Sequence, residues 1–302
     1  MTNMRRMIIL LLIICVAVLS GCARREAVPE ETVENVALEK DNKYTCSFDG
    51  IQHDFIVDLP EKTEGAPLVM MLHGYGDSAE GMRTTVHFEE KANPLGYAVV
   101  YVTGAPDPND ARSAPCWNSG ISAGISASDN RDVEFLCALA RYLQDEYSLD
   151  KKRTFAVGFS NGAIMTHRLA MEASGTFAAA VSVAGKMRES MWEARNEKNS
   201  VGFFQITGEK DELVPKHSDG SAKYTKEQAI EDVVDYWAVS NGLEQTGTRE
   251  IGSGSELTVY TGGGSAKQVW SLLVKNTHHS WPVEQLNGFD ANDIILEFLE
   301  TQ

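Results

Sequence analysis

From residue 66 onward, short apolar runs alternate with stretches of helical spacing, and this alternation leaves few folds open to the chain. The runs are "APLVMML" (66–72), "YAVVYV" (97–102), "RTFAVGF" (153–159), "TFAAAVSVA" (176–184), "VGFFQIT" (201–207) and "QVWSLLV" (268–274). They lack the polar alternation of a half-solvated strand, as expected where both faces of a sheet are covered. Helical spacing falls between them, near 132–147, at 162–173, in "EQAIEDVVDYWAV" (227–239) and in "ANDIILEFLE" (291–300). The reading is an α/β fold, a mostly parallel sheet with helices on both faces. "YTCSFDG" and "HDFIVDL" predict an opening hairpin turning at Asp49-Gly50, and "ELTVY" a further strand between glycine-rich turns. Asp129 and Asp132 stand where they would cap the helix beginning near Val133.

The first residues read differently. Arg5 and Arg6 precede an unbroken apolar run, Met7 to Leu19, too short to span a bilayer, and "LSGC" follows. That ending resembles the lipobox of bacterial lipoproteins, which implies cleavage after residue 21 and lipidation of Cys22. Residues 1–21 are therefore expected to be a lipoprotein signal peptide, 22–43 an acidic tether and 44–302 one catalytic domain. The protein would be exported and held at a membrane by the lipid on Cys22, facing outward. The formal charge of −16 disfavours nucleic acid as a partner, because phosphate binding relies on positive charge. Export permits disulfides; Cys137 falls on an apolar helix face, which leaves Cys46 and Cys116 as a possible pair.

Two pentapeptides fit G-x-S-x-G, around Ser122 and Ser160. Only Ser160 has an apolar strand before it and helical spacing after it, the context in which a sharp strand-to-helix turn presents a nucleophilic serine. "APCWNS" before the other contains proline and no strand run, so Ser122 is set aside. A serine hydroxyl is a weak nucleophile and needs a histidine base, an acid to orient that base, and donors for the oxyanion. In hydrolases with this elbow the acid and then the histidine follow the serine. Asp211 comes just after the strand "VGFFQIT", and His279 after "QVWSLLV". His278 and Glu212 are their nearest rivals. The backbone N–H groups of Asn161 and of Tyr75, in the loop "HGYGDSA", are the candidate oxyanion donors. Trp117 and Trp281 are candidate flat surfaces for a sugar or aromatic ring.

The segments "LHGYGDSA", "CWN", "RDVEFLCAL", "GFSNGAIMTHRLA", "AAVSVAG", "ITGEKDELVP" and "HSWP" together resemble exported feruloyl esterases and polyhydroxybutyrate depolymerase-like esterases, relatives of carbohydrate esterase family 1. The resemblance implies an α/β-hydrolase fold, a triad of Ser160, Asp211 and His279, and hydrolysis of carboxylic esters, feruloyl or acetyl groups on polysaccharide foremost, with no metal or cofactor. One departure is the histidine loop: "HHSWPV" lacks the glycine that the family's "GHTWPG" carries on each side. A polyhydroxyalkanoate depolymerase, a peptidase or an acyltransferase would use the same triad, whereas a surface-binding lipoprotein would have no use for it.

Overall fold

The computed structural model describes residues 31–120, 128–196, 200–217 and 228–302. The expected signal peptide, Cys22 and Ser122 lie outside these residues. Three antiparallel strands come first, β1 (Glu34–Lys40), β2 (Lys43–Phe48) and β3 (Ile51–Asp58). Then follow β4 (Leu68–Leu72), helices α1 (Ala79–Val86) and α2 (Phe88–Ala92), β5 (Ala98–Val102), and a two-residue pair, β6 (Ala105–Pro106) with β7 (Pro115–Cys116). The central part comprises α3 (Asp132–Tyr147), β8 (Thr154–Phe159), α4 (Asn161–Glu172), β9 (Ala179–Val183), α5 (Glu189–Ala194) and β10 (Gly202–Gly208). The remainder is α6 (Ile230–Ser240), β11 (Gln245–Ile251), β12 (Ser255–Thr261), β13 (Val269–Val274), α7 (Glu284–Asn287) and α8 (Ala291–Leu299).

Eleven strands form one sheet in the order β1-β2-β3-β5-β4-β8-β9-β10-β13-β12-β11. The run from β5 to β13 is parallel and the outer strands on both sides are antiparallel. Alternate residues of one strand serve two cores, as the two-residue period of a strand requires. Val69 and Met71 of β4 join a cluster with Met82 of α1, Phe88 of α2 and Ile295 of α8. Leu68, Met70 and Leu72 join another with Leu136 of α3 and Leu169 of α4. The sheet is thus covered on both faces, which is why β4, β5, β8 and β9 read as mostly apolar runs. This is the α/β-hydrolase fold. Among the described residues no helix is long and apolar enough to cross a membrane.

The chain leaves β4 for β5 on one side and returns as β8 on the other. A sheet that reverses its winding in this way opens a crevice at the carboxyl ends of the two strands where it reverses. Leu72 lies in register with Gly158, so the loop after β4 and Ser160 after β8 emerge side by side at that crevice.

Several expectations are corrected. Residues 34–40, assigned to the tether, form edge strand β1, whose side chains are almost all exposed. The α3 N-cap is Arg131, with no side-chain cap bond. Asp132 is buried and accepts the Asn118 N–H at 2.6 Å, so it holds a loop rather than capping a helix, and Asp129 is exposed. Cys46 and Cys116 are buried free thiols, not a bridge, and Cys137 is a half-buried one. Burial raises the Cys46 and Cys116 thiols to about 12, which suppresses their thiolates.

Candidate active site

Ser160 sits at the elbow between β8 and α4 with φ 52° and ψ −113°, a strained combination for a residue with a side chain. Its own N–H is held by Val183 O of the neighbouring strand at 2.9 Å. The two flanking glycines have distinct steric reasons. A Cβ on Gly158 would lie 2.3 Å from Gly162 O, and one on Gly162 would lie 2.1 Å from Leu72 O. Gly158 lets the start of α4 fold back onto β8 and Gly162 lets the elbow press against the end of β4, so the G-x-S-x-G pattern follows from close backbone packing.

His279 lies in the loop after β13 and Asp211 in the loop after β10. Glu209 N–H donates to Val274 O at 2.9 Å and Lys210 N–H to Thr277 O at 2.8 Å, so the two loops are tied together by their backbones. A Cβ on Gly208 would lie 2.4 Å from both His278 O and Thr277 O, so glycine is required at that contact. The glycines absent around the histidine are not needed: Val283 has φ −128°, and His278 is not in a left-handed conformation, which Asn276 takes instead with φ 57°. Asn287 Nδ2 donates to Thr277 Oγ1 at 2.6 Å and steadies the loop.

These elements bring three side chains into line. His279 Nδ1 lies 2.8 Å from Asp211 Oδ2, and His279 Nε2 lies 2.8 Å from Ser160 Oγ. Asp211 is 1% exposed. Burial by itself would raise its carboxyl, but the bonds from His279 and from the Leu213 amide, with the charge of Lys216, outweigh it and hold the group below the usual carboxylate value. An ionised Asp211 accepts from Nδ1–H, which leaves the Nε2 lone pair to accept the serine hydroxyl proton. His278 is exposed and points elsewhere, and Glu212 is exposed, so neither rival joins the line.

Ser160, His279, Tyr75 and Asn161 line a cavity of about 240 Å³. Asn161 is the first residue of α4, where a backbone N–H has no acceptor within the helix. The loop carrying Tyr75 is shaped by His73: Gly104 N–H donates to its Nε2 at 2.9 Å, so Nδ1 carries the proton and donates to Gly74 O at 2.6 Å. Burial lowers the His73 pKa and keeps the ring neutral, a strut rather than a base. Tyr75 is fixed from its other end, its hydroxyl donating to Asp110 at 2.8 Å or Asp107 at 3.0 Å.

Neither tryptophan offers a face to a ligand. Trp117 is fully buried and Trp281 is 9% exposed, and neither lines the cavity. Their polar ends show why: Trp281 Nε1 donates to Asn292 Oδ1, and Trp117 Nε1 to His73 O at 3.0 Å. The Asn161 side chain accepts the Trp117 N–H at 2.7 Å and donates to Trp117 O at 3.2 Å. Trp117 is therefore a staple between the Tyr75 loop and the residue that follows Ser160. The cavity also includes Lys186 and Arg188 from the segment after β9, which the sequence reading overlooked. Their place just beyond a parallel strand next to β8 was the available signal. Among the described residues, one group could hold a metal, His87, Glu89 and Glu90, with ligand atoms within 4.8 Å of one another. None of the three lines this cavity, and Glu89 is already engaged by Arg83 and Tyr101.

The family model described as phospholipase/carboxylesterase matches residues 53–240, well over half of the chain. The chain belongs to the phospholipase/carboxylesterase family. Within this family setting, the match takes in the Tyr75 loop, the elbow and Asp211, and ends before the histidine loop. Among curated relatives, NocK of Nocardia uniformis subsp. tsuyamanensis, itself only provisionally named an esterase, is 32% identical over 163 residues, 52% of this chain and 43% of that protein. Feruloyl esterase B of Talaromyces funiculosus is 25% identical over 159 residues, 50% of this chain and 43% of its own length. The match thus spans less than half the length of these relatives. Among solved structures, an acetyl xylan esterase from Aspergillus awamori superposes with a TM-score of 0.59 at 14% identity, over 83% of this chain and 94% of that one, a likeness of fold.

Proposed function

We propose that the protein hydrolyses carboxylic esters, with Ser160 as nucleophile, His279 as general base and acid, and Asp211 orienting the imidazole. The observation that carries this reading is the continuous line Asp211–His279–Ser160, with 2.8 Å at each step, at the mouth of a cavity. His279 Nε2 takes the hydroxyl proton as Ser160 Oγ attacks the ester carbonyl, and Asp211 stabilises the imidazolium. The carbonyl oxygen, now negative, is held by the N–H groups of Tyr75 and Asn161. His279 then returns the proton to the departing alcohol, and an acyl-enzyme remains. Water activated by the same imidazole releases the acid and restores Ser160. No metal or cofactor enters the scheme.

The substrate class we propose is an acetyl or feruloyl ester attached to a polysaccharide. Relatives named feruloyl esterase B and acetylxylan esterase A support it. So does the cavity of about 240 Å³, small beside the roughly 300 to 1,000 Å³ of pockets that engulf a ligand. Such a cavity suits the ester group of a chain that stays largely outside. We also propose, on the sequence alone, that residues 1–21 are removed and that lipid on Cys22 holds the domain outside the cell at a membrane. The test of the activity compares initial rates on a short acyl aryl ester, methyl ferulate, acetylated xylan and a hydroxybutyrate oligomer for the full chain and its Ser160→Ala variant. The expected result is turnover that depends on Ser160, with ferulate or acetyl xylan preferred; undiminished rates in the variant would sink the assignment.

A further inference from the structure

On the side of the sheet that α4 covers, a group of polar side chains lies behind the nucleophile and outside the relay. It comprises His167 of α4, Ser182 of β9, and Gln205 and Thr207 of β10, with Gln205 in register with Ser182. The first three are fully buried and Thr207 is 3% exposed, among apolar neighbours such as Ala180 and Phe203. Burial lowers the His167 ring to about 3 against the pull of the neighbouring Gln205 amide, so the ring is neutral near pH 7 and places no charge behind Ser160. Polar groups in such a core are costly unless their hydrogen bonds are made. Gln205 makes two: its Nε2 donates to Gly185 O at 3.1 Å and to Thr207 Oγ1 at 3.0 Å.

The first of these bonds holds the place where the chain leaves β9. Ala184 N–H still donates to Ile206 O at 2.9 Å, but Ala184 takes φ 54°, a costly left-handed conformation for a residue with a side chain. Gly185, buried and past the end of the strand, is pressed so closely that a Cβ there would lie 2.4 Å from Ala163 Cβ in the first turn of α4. This turn meets the nucleophile twice. Val183 O accepts the Ser160 N–H at 2.9 Å and so braces a residue that is itself strained, and Ala184 lines the same cavity as Ser160.

We propose that Gln205 is a positioning residue for ester hydrolysis: its amide holds the strained turn at Ala184–Gly185 and, through that turn, the alignment of Ser160 with His279. The inference rests on the esterase reading of Ser160. Gln205 touches neither the cavity nor the reacting atoms, and its bond is to a backbone oxygen, so it is indifferent to the side chains that follow. Without that donor the buried Gly185 carbonyl is drawn toward another partner, and Val183 O and Ser160 shift with it. A reacting group misplaced by about 1 Å costs about 100-fold in rate.

The test compares the full-length protein with Gln205→Met, which keeps the length of the side chain and offers no donor. Competent sites are counted with a 4-nitrophenyl alkylphosphonate, whose phosphorus bonds to Ser160 Oγ as 4-nitrophenolate leaves, and rates are expressed per competent site. On 4-nitrophenyl acetate, kcat per site should fall roughly 10- to 100-fold with KM within about 2-fold, because alignment matters in the transition state and little in the ground state. The rate of phosphonylation should fall with it. A side chain that only stabilised the fold would lower Tm or the number of competent sites and leave the rate at each site alone. Ser182→Ala removes an oxygen of the same cluster that has no partner among the described residues, and should keep kcat per site within about 2-fold. If Gln205→Met yields no competent site, Thr207→Val decides: it removes the second acceptor that orients the amide, and should lower kcat per site about 3-fold or more. Unchanged kcat per site in the deciding variant, or a change confined to KM, would overturn the proposal. Absence of Ser160-dependent turnover in the parent would instead refute the esterase reading, and the proposal with it.

Discussion

Replacing Asp132 with asparagine should make the protein more stable at neutral pH, by an amount that changes with pH in a calculable way. Asp132 is 2% exposed and its Oδ2 accepts the Asn118 N–H. Burial, partly offset by that amide and by the charge of Arg168, raises its carboxyl from 3.8 to about 6. For an acid whose folded value is raised, the sign follows directly. Below about pH 3 the group is neutral in folded and unfolded chains and costs nothing. Between about 4 and 6 the unfolded chain loses its proton first, so stability falls as pH rises. Above that the full cost remains. A gap of about two units at about 1.4 kcal/mol each gives about 3 kcal/mol. Asparagine keeps an acceptor for the Asn118 amide and cannot ionise. The difference in urea-unfolding free energy between Asp132→Asn and the parent should therefore widen by about 3 kcal/mol from about pH 3 to about pH 7. Any constant offset from seating the new NH₂ group drops out of this pH-dependent change. A difference that stays flat or narrows across the range would refute the reasoning.

Three further outcomes are expected. Asp211→Asn should lower kcat on the order of 10⁴-fold with KM little changed, because the imidazole loses its preferred tautomer and the partner for its charge; a loss below tenfold in steady-state kinetics would remove Asp211 from the relay. Gly162→Ala should destabilise the fold by about 1 to 3 kcal/mol or more, since its Cβ would meet backbone oxygen at 2.1 Å with no flexible side chain to yield, and an unchanged Tm would contradict that contact. Trp117→Phe leaves His73 O without its donor, and should cost about 1 to 3 kcal/mol in stability. Its kcat should fall more than its KM rises; equal kcat in variant and parent would show that the staple does not reach the reacting atoms.

The central strands and the elbow were legible because burial on both faces writes itself into sequence as mostly apolar runs, and Gly158 and Gly162 are demanded by backbone contacts nothing larger can meet. Asp211 and His279 could be placed because parallel strands deliver the loops that follow them to one sheet edge. Strands β1, "ENVALEK", and β11, "QTGTREI", were not legible. They are edge strands whose side chains are almost all exposed, so no alternation of apolar and polar residues marks them. Trp117 was misplaced because sequence reports an amphipathic ring but not its depth, and Asp132 because a helix-start acid can as readily turn inward to bind a loop. Lys186 and Arg188 escaped notice because no motif marks them, and only their place just beyond a strand that neighbours β8 puts them in the cavity.

The two backbone bonds and the glycine contact that tie the Asp211 loop to the His279 loop make two of the three relay members move as one body. Three of the residues that line the cavity without belonging to the relay, Lys186, Arg188 and Ile164, stand on other segments. Selection, or an engineer, can therefore rewrite what the cavity prefers by changing the stretch after β9 while the bound pair keeps its alignment. The reverse does not hold. A side chain added at Gly208 would separate the pair and silence every substrate together, so the chain can change its diet far more easily than it can repair its chemistry.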